Sequence, residues 1–90
     1  MSSKAEKLLQ KMRVSKANCT LDDLYAVYRG FGFTISIGKK HDRVEHPRYT
    51  WLKAMLPRKH ESIALGYFDH AVKTIDELKR LESGGKKYDK

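Results

Sequence analysis

The residues best suited to proton transfer and phosphate binding lie together in the middle of this 90-residue chain. Segment 39–60 contains three of the four histidines and seven lysines or arginines, against two acidic residues. Imidazole rings can accept or donate a proton near neutral pH, and clustered cations attract phosphate groups. This segment therefore predicts a site for a phosphate-rich polyanion.

The net charge of the whole chain is distributed unevenly. The formal charge is +8, from 19 lysines and arginines against 11 acidic residues. Segment 39–60 carries +5, segment 1–38 carries +3, and segment 61–90 is neutral. The sequence therefore predicts one basic surface patch rather than a uniformly basic protein.

Other kinds of site have weak support in the sequence. His41, His46 and His60 lack the spacing of common zinc motifs, so we predict no metal site and no cofactor. Cys19 lies in a predicted linker without a base nearby, and a single cysteine excludes an internal disulfide. Nothing in the chain resembles a leader or a membrane span, so we expect a cytoplasmic protein that does not enter membranes.

Two helices, three strands and a final helix are expected to position the basic segment. Thr20 is the expected N-cap of the second helix, which Gly30 or Gly32 ends. Apolar residues recur at helical spacing in three stripes: Ala5, Leu8, Leu9 and Met12; Leu21, Leu24, Tyr25 and Tyr28; and Phe68, Ala71, Val72, Ile75, Leu78 and Leu81.

Between the second and third helices, alternating apolar residues predict three antiparallel strands. The first begins at Phe33 and places Phe33, Ile35 and Ile37 on one face. The second covers 41–46, after a turn at Gly38-Lys39-Lys40, and the third covers 50–56. By alternation His41, Arg43 and Glu45 share one face, with Val44 on the other, toward the helices. The expected fold class is α+β: a three-stranded antiparallel sheet with helices packed on one face, in the order α-α-β-β-β-α.

A series of short motifs resembles the HicA-type toxin family, the ribonuclease half of bacterial toxin–antitoxin pairs. The similarity covers residues 4–82, and its matching segments are 30–33, 38–41, 46–47 and 56–60, followed by the final helix. It implies a fold similar to the double-stranded RNA-binding domain. The N-terminal helical extension (1–19) resembles that of a longer branch of the family. From the chain length we expect a single domain over 1–90, with a core (20–82) and a flexible tail (83–90).

The resemblance also implies an activity, that of a metal-independent endoribonuclease acting on mRNA. The family's hairpin usually reads Gly-Ser-His; here Gly38 keeps the glycine, His41 takes the place of the histidine, and Lys40 stands where serine is common, in a turn one residue longer. His41 is then the candidate catalytic residue. The implied partners are RNA and an acidic antitoxin protein that covers the basic face.

RNA cleavage without a metal ion has three chemical requirements: removal of the 2′-hydroxyl proton, stabilisation of the phosphorane charge and protonation of the leaving 5′-oxygen. His41 is suited to the proton transfers. The candidates for binding RNA are Lys39, Lys40, Arg43, Lys53, Arg58, Lys59 and His60.

The remaining aromatic and histidine residues admit structural interpretations. Tyr49 and Trp51 could stack on bases or could pack at the sheet edge. We expect His46 to be a structural turn residue and His70 to occupy a surface position on the last helix. Three functions stay open: the endoribonuclease, a noncatalytic RNA-binding module of the same fold, and a protein-interaction domain that uses its basic face.

Overall fold

A computed structural model describes residues 3–57 and 64–83 of the chain. Its elements are helix α1 (Ser3–Ser15), a one-turn 3₁₀ helix (Lys16–Asn18), helix α2 (Leu21–Gly30), strands β1 (Thr34–Ser36), β2 (His41–Glu45) and β3 (Lys53–Pro57), and helix α3 (Leu65–Glu82). The predicted α+β class and element order are confirmed. Beyond Ser83, the predicted tail lies outside the described residues.

The three strands form an antiparallel sheet in the order β1-β2-β3. Val44 of the central strand is paired with Ile35 on one side and with Ala54 on the other. Leu52 and Leu56 are buried, as the alternation predicted. The sheet therefore turns an apolar face toward the helices.

Two details of the predicted strands are wrong. The third strand begins at Lys53 rather than at residue 50, because the preceding residues form a turn in which the Leu52 amide donates to the Tyr49 carbonyl at 2.9 Å. Ile37 does not continue the face of Phe33: Phe33 is buried and Ile37 is 76% exposed, because β1 ends at Ser36 and the chain leaves the ladder there.

All three helices and the sheet share one hydrophobic core. Leu9 and Met12 of α1 belong to the same buried cluster as Val44 and Leu56 of the sheet. The full set of buried cluster residues is Leu9, Met12, Leu21, Leu24, Val27, Tyr28, Phe33, Val44, Leu52, Leu56, Phe68, Ala71, Ile75 and Leu78. The predicted N-terminal extension therefore contributes directly to the core.

Helix α2 has well-defined ends that direct the chain into β1. The Thr20 hydroxyl accepts a hydrogen bond from the Asp23 amide, and the Asp23 carboxylate accepts one from the Thr20 amide, which completes a capping box. At the other end Gly32 has a φ of 89°, a conformation that favours glycine. Both ends were predicted correctly from residue types.

Exposed ion pairs join the helical segments to one another. Arg13 pairs with Asp76, Lys16 with Asp69, and Lys11 with Asp23. The Lys79 ammonium lies 2.8 Å from the Glu6 carboxylate, between α3 and α1. Much of the positive charge of the helices is therefore balanced locally.

The packing of α1 predicts that truncating its buried side chains destabilises the whole protein. Leu9→Ala should lower the free energy of unfolding by about 2–5 kcal/mol, because it opens a cavity in the shared core. Val14→Ala, on the same helix at a side chain that is 77% exposed, should change that free energy by less than about 0.5 kcal/mol. Urea denaturation measures both. Equal midpoints for the two variants would show that α1 is not part of the core.

Candidate nucleic-acid interface

One face of the sheet is left uncovered by the helices; we call it the open face. It consists of His41, Arg43 and Glu45 on β2 together with Lys53 and Met55 on β3. His41, Arg43, Lys53 and Met55 are exposed, whereas Asp42 and Val44 between them are buried. The prediction that His41, Arg43 and Glu45 share a face opposite Val44 is confirmed.

Two adjoining hollows run along the open face. The first, about 480 Å³, is bounded at the β1–β2 turn by Ser36, Ile37, Gly38, Lys39, Lys40, His41, Arg43 and Met55. The second, about 450 Å³, is lined by Arg43, Glu45, Lys53, Ala54 and Met55. Because Arg43 and Met55 border both, the hollows form one shallow trough, which we call the basic trough. Lys39, Lys40, His41, Arg43 and Lys53, all predicted site residues, line this trough.

The cations of the basic trough are free of ion pairs with any residue in the described part of the chain. Lys39, Lys40, Arg43 and Lys53 are exposed, and none has a carboxylate within salt-bridge distance there. In the helices, Lys11, Arg13, Lys16, Lys79 and Arg80 are each paired with an acidic side chain, whereas others such as Lys4 and Lys7 have no ion pair with a described residue. The basic trough therefore brings four cations together on one face with no ion pair to a described residue.

The β1–β2 turn that carries Lys39 and Lys40 is tightly constrained. A Cβ atom added at Gly38 would lie 2.2 Å from the carbonyl oxygen of His41, a distance that backbone atoms cannot accommodate without moving. Only glycine therefore allows the chain to pass so close to the first residue of β2. The glycine of the predicted hairpin has a steric role in placing His41.

A buried carboxylate links this turn to helix α2. Asp42 is only 6% exposed, and its carboxylate accepts hydrogen bonds from the Gly38 amide at 3.3 Å and from the Tyr25 hydroxyl at 2.5 Å. Asp42 was not among the site residues predicted from the sequence. The available signal was a charged residue at an inward position of a strand, flanked by residues assigned to the outer face.

His41 lies at one end of the basic trough, beside Lys40 and Arg43. Its imidazole is exposed and makes no hydrogen bond with another described residue, so both ring nitrogens are accessible to a ligand. Glu45 lies on the same face four residues away, which is about 13 Å along an extended strand. Among the described residues, the turn end of the trough therefore has one group suited to proton transfer near neutral pH, with several cations around it.

Two other histidines have structural positions, as predicted. His46 is 6% exposed, and its Nδ1 accepts hydrogen bonds from the amides of Arg48 at 3.0 Å and Tyr49 at 3.3 Å. Its ring also packs edge-on against Phe33. His70 lies at the surface of α3, with Nε2 3.1 Å from the Lys53 carbonyl oxygen. Neither ring borders the basic trough.

Three predicted RNA-binding residues, Arg58, Lys59 and His60, lie outside the described residues. Nothing about their positions contributes to the site described above.

The alternative chemistries weighed from the sequence gain no support from the geometry. The Cys19 thiol donates to the Ser15 carbonyl at 3.7 Å, and burial, with a smaller contribution from Asp23, raises the pKa of Cys19. A raised pKa keeps the thiol protonated and makes it a poor nucleophile. Within residues 3–57 and 64–83, no cluster of three metal-binding side chains occurs. The helices in the same ranges are all too short or too polar to span a bilayer.

Comparison of the chain with protein-family models, with curated proteins and with solved structures found no match in any of the three.

The close approach of Gly38 to the His41 carbonyl oxygen predicts that adding a side chain at Gly38 destabilises the protein. Gly38→Ala should lower the free energy of unfolding by at least about 1 kcal/mol, because the new methyl group must displace the β2 backbone. Gly66→Ala is the matched control: a Cβ there meets nothing within 4 Å, and alanine in a helix is favoured over glycine by about 0.5–1 kcal/mol. Thermal unfolding of both variants gives the comparison. A stabilising Gly38→Ala substitution would contradict the described turn.

Proposed function

We propose that this chain is a HicA-like toxin, an RNA-binding, metal-independent endoribonuclease (mRNA interferase) of a type II toxin–antitoxin pair that acts in the cytoplasm. The observation that carries the proposal is the position of His41. It is exposed at the end of the basic trough among Lys39, Lys40 and Arg43, cations with no ion pair in the described part of the chain. A proton-transfer group beside uncompensated cations is what cleavage of a phosphodiester requires.

The reaction proposed for this site uses the RNA's own 2′-hydroxyl. That oxygen loses its proton and attacks the adjacent phosphorus, the bond from phosphorus to the 5′-oxygen breaks, and the 5′-oxygen gains a proton. The products are a 2′,3′-cyclic phosphate and a 5′-hydroxyl. His41 carries out one proton transfer and water the other, while Lys39, Lys40 and Arg43 stabilise the charge that builds on the phosphorane oxygens. DNA lacks the attacking hydroxyl, so RNA is the substrate.

The proposed protein partner is an acidic antitoxin that covers the basic trough. The trough combines unpaired cations with exposed apolar side chains, since Ile37 and Met55 border it and both are more than half exposed. A partner with carboxylates around an apolar centre would complement this surface. Because antitoxin and RNA would use the same cations, they would compete for the site.

A noncatalytic RNA-binding module of the same fold is the second candidate function. It is favoured by the presence of a single proton-transfer group, His41, at the turn end of the trough among the described residues. Such a module would use the same cations to bind phosphates and would leave the RNA intact.

The binding surface is tested by comparing two double variants with the same change in charge. Replacing Lys39 and Lys40 by alanine should weaken binding of a labelled 2′-O-methyl oligouridine. It should also reduce the slope of log Kd against log salt by about 1.4, since each lost contact to a single strand removes about 0.7.

Replacing Lys4 and Lys7 provides the control, because these α1 lysines are exposed and have no ion pair with a described residue. Fluorescence anisotropy at several salt concentrations measures both slopes. An equal loss of RNA affinity and an equal reduction in slope in the two variants would mean that total charge, and not the basic trough, determines binding. Absence of binding at low salt would favour the protein-interaction function instead.

Cleavage is tested with His41→Ala on unmodified single-stranded RNA in the presence of a chelator. The variant should lose about 10²–10⁴-fold in cleavage rate, the usual contribution of a general acid or base, and should still bind the uncleavable oligonucleotide. His70→Ala, which removes another exposed histidine, should cleave normally. A wild-type chain that binds RNA without cutting it supports the noncatalytic module. Full activity in His41→Ala would show that another residue transfers the proton.

A further inference from the structure

A second exposed cluster lies at the opposite end of the sheet from His41, in the turn between β2 and β3. We call it the aromatic turn; it consists of Arg48, Tyr49 and Trp51. Trp51 is 60% exposed, and its ring meets that of Tyr49 edge-on at a centroid distance of 5.5 Å. The Arg48 guanidinium lies 5.8 Å from the centre of the Tyr49 ring. The indole of Trp51 is thus presented to solvent, next to a tyrosine ring that an arginine contacts.

Hydrogen bonds between His46 and the turn backbone, rather than the aromatic rings, hold the backbone beneath this cluster. His46 accepts hydrogen bonds from two amides of the turn, its own amide donates to the Leu52 carbonyl at 3.1 Å, and its ring lies 5.3 Å from that of Tyr49. Leu52 anchors the end of the turn in the core. Trp51 is therefore displayed from a fixed scaffold, and its exposed ring is available for contact with a ligand.

The aromatic turn adjoins the open face. Trp51 lies in the turn two residues before Lys53, the first residue of β3, and both side chains are exposed. Lys53 is opposite Glu45 in the ladder, and His41 lies four residues further along β2. At about 3.3 Å per residue, Glu45 and His41 are about 13 Å apart along β2. A ligand that follows the path from Trp51 to His41 meets Lys53 and Arg43 on the way, and it passes the half-buried Glu45.

We propose that Trp51, supported by Tyr49, is a stacking platform for an unpaired base of single-stranded RNA whose phosphates follow the basic trough to His41. A ligand that uses the whole path must carry regularly repeated negative charge together with flat apolar rings, and a single RNA strand has both. A duplex keeps its bases stacked inside, where the indole cannot reach their faces. This inference rests on the proposed function and assigns its substrate class.

The test uses Trp51 as its own reporter, because it is the only tryptophan in the chain. Titration with an uncleavable 2′-O-methyl oligouridine should quench its emission in parallel with the rise in anisotropy of the labelled strand. The corresponding 2′-O-methyl duplex should leave the emission unchanged at equal occupancy. Trp51→Ala should weaken binding of the single strand about 5- to 150-fold, the range expected for loss of one stacked base. Trp51→Phe should retain most of the affinity, and Val14→Ala all of it.

The outcomes separate this inference from the proposed function. Single-strand binding with unchanged tryptophan emission and an unaffected Trp51→Ala variant would overturn the stacking platform while leaving RNA binding intact. Equal quenching by the duplex would overturn the preference for single strands. Equal quenching by polyglutamate at the same ionic strength would indicate a surface for an acidic protein and would also overturn the proposal that Trp51 stacks on an RNA base. Absence of any anisotropy change at low salt would overturn the proposed function together with this inference.

Discussion

The buried carboxylate of Asp42 is the constraint on which the rest of the sheet surface depends. It connects the Tyr25 hydroxyl of α2 with the Gly38 amide of the β1–β2 turn, at a position almost closed to solvent. A carboxylate removed from water must keep such hydrogen bonds, because losing them leaves a polar group buried at a cost of several kcal/mol. Since side chains alternate along a strand, fixing Asp42 inward directs His41 and Arg43 outward. The buried Asp42 side chain thus determines which residues of β2 lie on the open face.

The distribution of acidic residues determines where the positive charge remains effective. Asp76 and Asp69 of α3 and Asp23 of α2 balance cations of α1 and the 3₁₀ turn, so the helical side is partly neutralised. Exposed pairs of this kind contribute only about 0–1 kcal/mol each to stability. Their larger effect is on the electrostatic potential, because they neutralise part of the helical charge while the cations of the basic trough have no ion pair with a described residue. The described strands contain two acidic residues: Asp42, whose side chain is buried, and Glu45 on the open face.

Residue periodicity was sufficient to predict the three α-helices and the three strands, because most of them have an apolar stripe and end signals, but the 3₁₀ turn at Lys16–Asn18 was not predicted. It failed where local geometry outweighs alternation. Ile37 continues the pattern of β1 but follows the end of the ladder, and the turn held by His46 occupies residues assigned to the third strand. Asp42 was missed because a lone charged residue in a strand is ordinarily solvated, and only its three-dimensional partners distinguish it. The outer-face residues could be predicted, since alternation alone determines them.

The openness of the basic trough bears directly on how the proposed cleavage would work. Lys39, Lys40 and Arg43 are surrounded by water in the free protein, and at high dielectric each contributes little to stabilising a developing charge. RNA lying along the trough would displace that water and strengthen every cation–phosphate interaction near His41. Contacts far from the reacting phosphate, such as stacking on Trp51, would then contribute to rate by keeping the strand in place over the trough. The proposed RNA binding along the whole open face and the proposed cleavage at its His41 end would therefore depend on each other.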